Sequence, residues 1–238
     1  MKKNQNFLLY IVAVFMLTLF SCEDGEDGAI GPQGPQGEQG IPGVNGQDGE
    51  DGEDASANDQ ETTADVFSPI LGEVMGTSTL VRSTDRIMAS FETTNLTPGH
   101  AYTLWWIVIN QPENCADTPC GLADVGNPDT ETDLLFGSGR VADESGMATF
   151  SAVLLENDGS GSINDILGLP VDVGGLLNAQ TAQVQLVLRS HGPAIAGMVN
   201  TQISSYGGGC TVFFQPFEAI PDVEGECGDI QVSAHLPM

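Results

Sequence analysis

The chain has 238 residues and sets 33 aspartates and glutamates against 6 lysines and arginines, a formal net charge of −27. A surface of that sign repels nucleic acid, whose binding depends on neutralising phosphates, and repels anionic lipid headgroups as well. Acidity of this kind keeps an extracellular protein soluble, and it leaves cations, cationic proteins and neutral molecules as the partners electrostatics permits.

In chain order, Lys2 and Lys3 precede an apolar run from Phe7 to Phe20, which Ser21 and Cys22 follow. That is the charged region, apolar region and small residue of a signal peptide. The run of 14 residues falls short of the roughly 17–25 that a membrane-spanning helix needs. The ending Leu19-Phe20-Ser21-Cys22 resembles the lipobox of bacterial lipoproteins. The resemblance implies removal of residues 1–21 and lipidation of Cys22, each buried acyl CH₂ contributing about 0.8 kcal/mol to membrane attachment. Glu23-Asp24 and Glu26-Asp27 follow at once. They resemble the acidic export signals of some Gram-negative lipoproteins. Residues 22–24 are therefore expected to be a lipidated, export-directing N-terminus, and the location a lipid-anchored place on the outer membrane, exposed at the cell surface.

From Gly25 to Asp54 run ten unbroken Gly-X-Y triplets. This resembles collagen, in which only glycine fits where three polyproline-II chains meet on the axis. The triplets hold three prolines (Pro32, Pro35, Pro42) and eight carboxylates with no basic residue, whereas robust collagen carries about 15–20% proline. Two forms stay open. Three chains wind into a homotrimeric rod of roughly 90 Å at ~3.1 Å per residue, or a single charged chain stays extended as a spacer.

Residues 55–65 are polar and free of aromatics, as a linker would be. Residues 66–238 then make one domain of ordinary size. Its four cysteines, Cys115, Cys120, Cys210 and Cys227, lie where an exported chain forms disulfides. Three pairings are formally possible. Local pairing, Cys115–Cys120 and Cys210–Cys227, closes each loop on itself and is favoured over a zinc site, whose spacings these do not match.

The domain reads as mostly β, a β-sandwich head behind the collagen-like or extended stalk. Residues 86–93 put Ile87, Ala89 and Phe91 on one face, and residues 101–109 are apolar on both faces, as a central strand would be. Residues 147–155 follow the turn Asp143-Glu144-Ser145-Gly146. In residues 183–189, Val184, Leu186 and Leu188 point inward, and in residues 229–235 Ile230, Val232 and Ala234 repeat the pattern. Short helices are expected near residues 162–167 and 194–204. Leu96-Thr97-Pro98-Gly99-His100-Ala101-Tyr102 resembles the tyrosine corner of fibronectin-type sandwiches, which implies that the tyrosine hydroxyl caps a crossing loop. Otherwise the head bears only a faint likeness to secreted β-sandwich domains without assigned function.

Three histidines, His100, His191 and His235, are all the chain has. Brought together they would make a copper or zinc site; apart, they serve turns and a strand's polar face. His191-Gly192-Pro193-Ala194 resembles part of the HGPA motif of chordin-type repeat domains, a four-residue match that carries no function with it. Arg189 ends a strand in a domain poor in cations and either pairs with a buried carboxylate or clamps an anionic ligand. The acidic stretches 124–133 and 156–165 are candidate Ca²⁺ loops, though neither has the spacing of an EF-hand. Trp105-Trp106 is a core pair or a sugar platform.

No nucleophile elbow, HExxH, P-loop or Rossmann glycine pattern is present, so catalysis has no support in the sequence. The expected work is binding, adhesion or surface display of a head that meets an unidentified extracellular ligand. The alternatives are a metal-binding or metal-dependent enzyme built on the three histidines, and a structural envelope protein with no small ligand.

Overall fold

The computed structural model describes residues 59–171, 173–220 and 223–237. The apolar leader, Cys22, the Gly-X-Y triplets and linker residues 55–58 lie outside the described residues.

The chain forms β1 (Gln60–Ser68), β2 (Glu73–Arg82), β3 (Arg86–Thr93), β4 (His100–Ile109), β5 (Thr132–Val141), β6 (Ala148–Leu155), β7 (Gln183–Pro193), β8 (Val212–Phe213) and β9 (Glu226–His235). Two short helices, α1 (Asn164–Leu167) and α2 (Val199–Gln202), fall in the two segments where the sequence suggests them. The strand order is β5-β4-β7-β9-β1-β2-β3-β6, with β8 beside β9. Every pairing along that path is antiparallel, while β8 runs parallel to β9. The sheet folds over until its two ends, β5 and β6, touch. The result is a mostly β, sandwich-like and nearly closed sheet. Because β1 already begins at Gln60, the head's first strand occupies most of the segment that composition marks as a linker.

Alternation explains the core. Leu80 of β2, Ile87 and Phe91 of β3, Phe150 and Leu154 of β6, Leu104, Trp106 and Val108 of β4, and Val184, Leu186 and Leu188 of β7 share one interior. Phe91 and Phe150 lie directly opposite each other, edge to face at 6.4 Å. Such a pair contributes about 0.5–1.5 kcal/mol beyond its buried area.

β4 and β7 are buried on both faces because each sheet face has its own cover. On the outer face, Ile107, Ile109 and Val187 form a second cluster with Cys115, Cys120, Leu134, Phe217 and Val232. Two disulfide-closed loops supply much of that cover, and both bridges, Cys115–Cys120 and Cys210–Cys227, are the local ones. The polar residues of β7 that alternation assigns to solvent instead hold these loops down. The Gln183 and Gln185 amides donate to the carbonyl of Cys120, and Gln183 also accepts from the Cys120 N–H.

β9 departs from its expected orientation. Val232 lies opposite Val187 on the outer face, so Gln231, Ser233 and His235 point inward. The inversion is tolerated because these polar groups find partners inside. Thr93 donates to Gln231 at 2.6 Å, and His235 lies between Ser78 at 2.8 Å and Thr62 at 2.9 Å. These bonds tie β9 to β1, β2 and β3 where the strand ladder is thin, since β1 and β9 share only the pair Phe67–Val232.

Candidate functional site

The three histidines do not converge. His235 lies opposite Val184, and His191 stands seven residues farther along β7, about 23 Å away at ~3.3 Å per strand residue. His100 stacks on the inner-face Tyr102 at 6.3 Å, whereas His191 packs on the outer face beside Thr103. Among the described residues, one cluster of three metal-ligating side chains comes together, His191 with Cys210 and Cys227. Its two sulfurs are bonded to each other, and the thiolate is the form of cysteine that binds metal.

The proton on His191 can be placed from its neighbours. Trp105 Nε1 donates to Thr103 Oγ1 at 2.8 Å, Thr103 Oγ1 lies 2.9 Å from His191 Nε2, and His191 Nδ1 lies 3.1 Å from the Gly208 carbonyl. An indole N–H only donates and a carbonyl only accepts. The relay therefore runs from tryptophan to threonine to Nε2, and the imidazole is neutral with its proton on Nδ1. Burial, reinforced by the Arg189 charge, pulls its pKa down to about 4. Nδ1 comes within 3.4 Å of Cys210 Sγ, but it holds a proton there rather than an open lone pair. His235 is likewise pushed down to about 4 by burial and by Arg82. Both are structural histidines.

Arg189 takes the pairing role rather than the anion-clamping one. Its Nη1 donates to Asp229 at 2.8 Å, its Nε to the Tyr206 carbonyl at 3.1 Å, and the guanidinium lies over the Tyr206 ring at 3.9 Å. With 1% of the side chain exposed, no anion in solvent reaches it. Its cation holds the segment before the second disulfide loop at Tyr206 and lies 5.6 Å from the Phe213 ring within that loop. Burial raises the pKa of Asp229 against the opposing pull of Arg189.

The candidate calcium loops spend their carboxylates on donors of the protein itself, most of them outside each loop. Asp124 accepts from the N–H groups of Ala116 and Gly121, which hold it below the usual carboxylate range. Asp133 accepts from Ser162 and from the Gly175 N–H, Glu156 from the Ala179 N–H, and Asp158 from the Ser160 N–H. These bonds point the carboxylates at separate donors and gather no cation-binding cluster among the described residues. The two tryptophans divide between core and cover, Trp106 fully buried in the interior and Trp105 beneath Tyr206 and Phe136.

What the fold does assemble is a pocket of about 300 Å³ at one end of the sandwich. The β1–β2 turn supplies Ile70 and Leu71, the β3–β4 crossing Asn95 and Thr97, and β4 His100 and Tyr102. Ser190 and Gly192 of β7, Ile220 of the second disulfide loop, and Ile230 and Gln231 of β9 close it. Three register irregularities lie in the strands that contribute to it. The β1–β2 ladder shifts at Val66/Phe67, the β4–β7 ladder between His100 and Tyr102, and the β7–β9 ladder between Leu188 and Arg189, where Ile230 is the extra residue. Bulges bend strands and re-aim side chains, and together they spread one end of the sheet into a cavity. The tyrosine corner forms its inner wall, with Tyr102 Oη accepting from the Thr97 N–H at 3.0 Å. Asn95 sits at φ 61°, a left-handed conformation that asparagine tolerates better than most residues.

No protein-family model matches the chain, and searches of curated proteins and of solved structures each returned no match. Of the residues that build the pocket, sequence reading singled out His100, the Tyr102 corner, Gly192 in the HGPA-like match and Ile230 in the last strand, and it joined none of them into a pocket. The rest are scattered over five segments with no shared spacing.

Proposed function

We propose that the chain is a surface-exposed outer-membrane lipoprotein, anchored through lipid on Cys22, whose Gly-X-Y segment spaces a β-sandwich head that binds an extracellular ligand. The observation that supports binding is the end pocket, lined by strands that carry three register irregularities and by both hydrogen-bonding and aliphatic side chains. The anchor rests on the lipobox-like ending at Cys22 and on the carboxylates behind it. The acid-rich triplets suit an extended spacer. Where three chains wind together, three sets of eight carboxylates come side by side, and the homotrimer is then a salt-dependent one.

The three-histidine metal enzyme loses its basis with the separation of its ligands. Protease treatment of intact Gram-negative cells expressing the full chain tests the rest. The head is expected to be cleaved on intact cells, and Cys22→Ser is expected to free the chain from the membrane fraction. A head protected until the outer membrane is broken, or a Cys22→Ser chain still membrane-bound, would contradict the proposal.

A further inference from the structure

We propose that the end pocket takes an uncharged, hydroxyl-rich ligand of single-ring size, a neutral hexopyranose or N-acetylhexosamine; this rests on the reading of the head as a binding module. The volume comes first. About 300 Å³ lies at the low end of cavities that hold small molecules, which limits the occupant to roughly one ring.

The lining then selects its chemistry. Among the described residues, no lining side chain is an aspartate, glutamate, lysine or arginine. A carboxylate or ammonium entering would lose its hydration without meeting an opposite charge. The acidic chain as a whole adds repulsion against anions. The polar lining is made of amides, hydroxyls and an imidazole, groups that both donate and accept. A sugar hydroxyl asks for that two-way capacity. The Asn95 amide and the Thr97 hydroxyl have no side-chain hydrogen bond among the described residues. Ser190 Oγ accepts from the Gly192 N–H, which leaves its own O–H to donate. Ile70, Ile220 and Ile230 add aliphatic surface to the same lining, against which the C–H face of a ring can pack. A purely apolar ligand would bury the hydroxyls and amides without partners, which disfavours it.

Geometry keeps the pocket open at this size. A Cβ added at Gly228 would meet Ile220 Cδ1 at 2.7 Å, so the glycine is what lets Ile220 settle against β9 at the pocket wall. Leu71 stands at the mouth, 53% exposed.

Saturation-transfer NMR on the full chain in detergent tests the inference, with D-glucose, D-galactose, D-mannose and N-acetyl-D-glucosamine as neutral probes. D-glucuronate and D-glucosamine carry an anion and a cation on the same ring. At least one neutral sugar is expected to show transfer, its charged counterparts none, and Thr97→Val is expected to weaken binding about tenfold, as loss of one hydrogen bond does. Asn95→Gly, which keeps the left-handed backbone, should weaken it in the same direction and guards against a folding artefact in the first variant. Charged sugars binding as well as neutral ones, or neutral binding indifferent to both substitutions, would overturn the inference while leaving a binding head. Transfer to none of the six probes would overturn the inference and remove the support for the binding reading with it.

Discussion

Single side chains in this head carry consequences out of proportion to their number. His191 and His235 are buried and neutral, each with a pKa pulled from the ordinary 6.5 to about 4. The unfolded chain therefore takes up both protons before the folded one does. Their contribution to stability is complete above pH 6.5 and drains away as pH falls towards 4, each shift worth about 3 kcal/mol in full. Denaturant titrations between pH 7 and 4 should show stability falling throughout that window. His235→Gln keeps an amide between Ser78 and Thr62 and should roughly halve the slope. A variant with the wild-type slope would mean that His235 is not held neutral. Carboxylates such as Asp124, held low by backbone N–H groups, add their own losses only below the ordinary carboxylate range.

Elements show where the sequence was readable and where it was not. β4 could be recognised as central from Trp105-Trp106 and the apolar residues around them, since both of its faces needed cover. The corner at Leu96–Tyr102 was legible because a proline, a glycine and a tyrosine at fixed spacing impose a local geometry. β9 was misread because Ile230, Val232 and Ala234 alternate as they would in any half-buried strand. Ile230, the bulged residue, packs against the interior, and only the second disulfide loop, with Phe217 over Val232, makes the Val232 side the outer one. The pocket escaped for a related reason: a bulge is a relation between two strands, and neither strand alone encodes it. The polar face of β7 points to a prediction. Arg189 and His191 both hold the segment leading into the loop closed by Cys210–Cys227, through the Tyr206 and Gly208 carbonyls. Breaking that bridge with Cys210→Ser and Cys227→Ser together should cost about 3 kcal/mol by loop-closure entropy, against about 2 kcal/mol for the shorter Cys115–Cys120 loop. Urea unfolding of the two double variants would measure the difference. A larger loss from the shorter loop would contradict the entropic account.

For the molecule as a whole, sequence and structure divide the work. The N-terminal segments speak through motif alone, in the leader, Cys22 and the glycine period. The head speaks through geometry, because its polar residues are unremarkable until the sheet brings them together. Its acidity fits both parts, favouring solubility and turning anionic ligands away from the pocket. The measurement that bears most directly on this account is the binding of a radiolabelled neutral hexose to intact cells that display the full chain. Cell-bound label should appear with the wild-type protein, fall about tenfold with Thr97→Val at equal surface display, and disappear from cells when Cys22→Ser releases the chain. Cells that display the wild-type head and take up no label, or that bind it equally well with Thr97→Val, would contradict it.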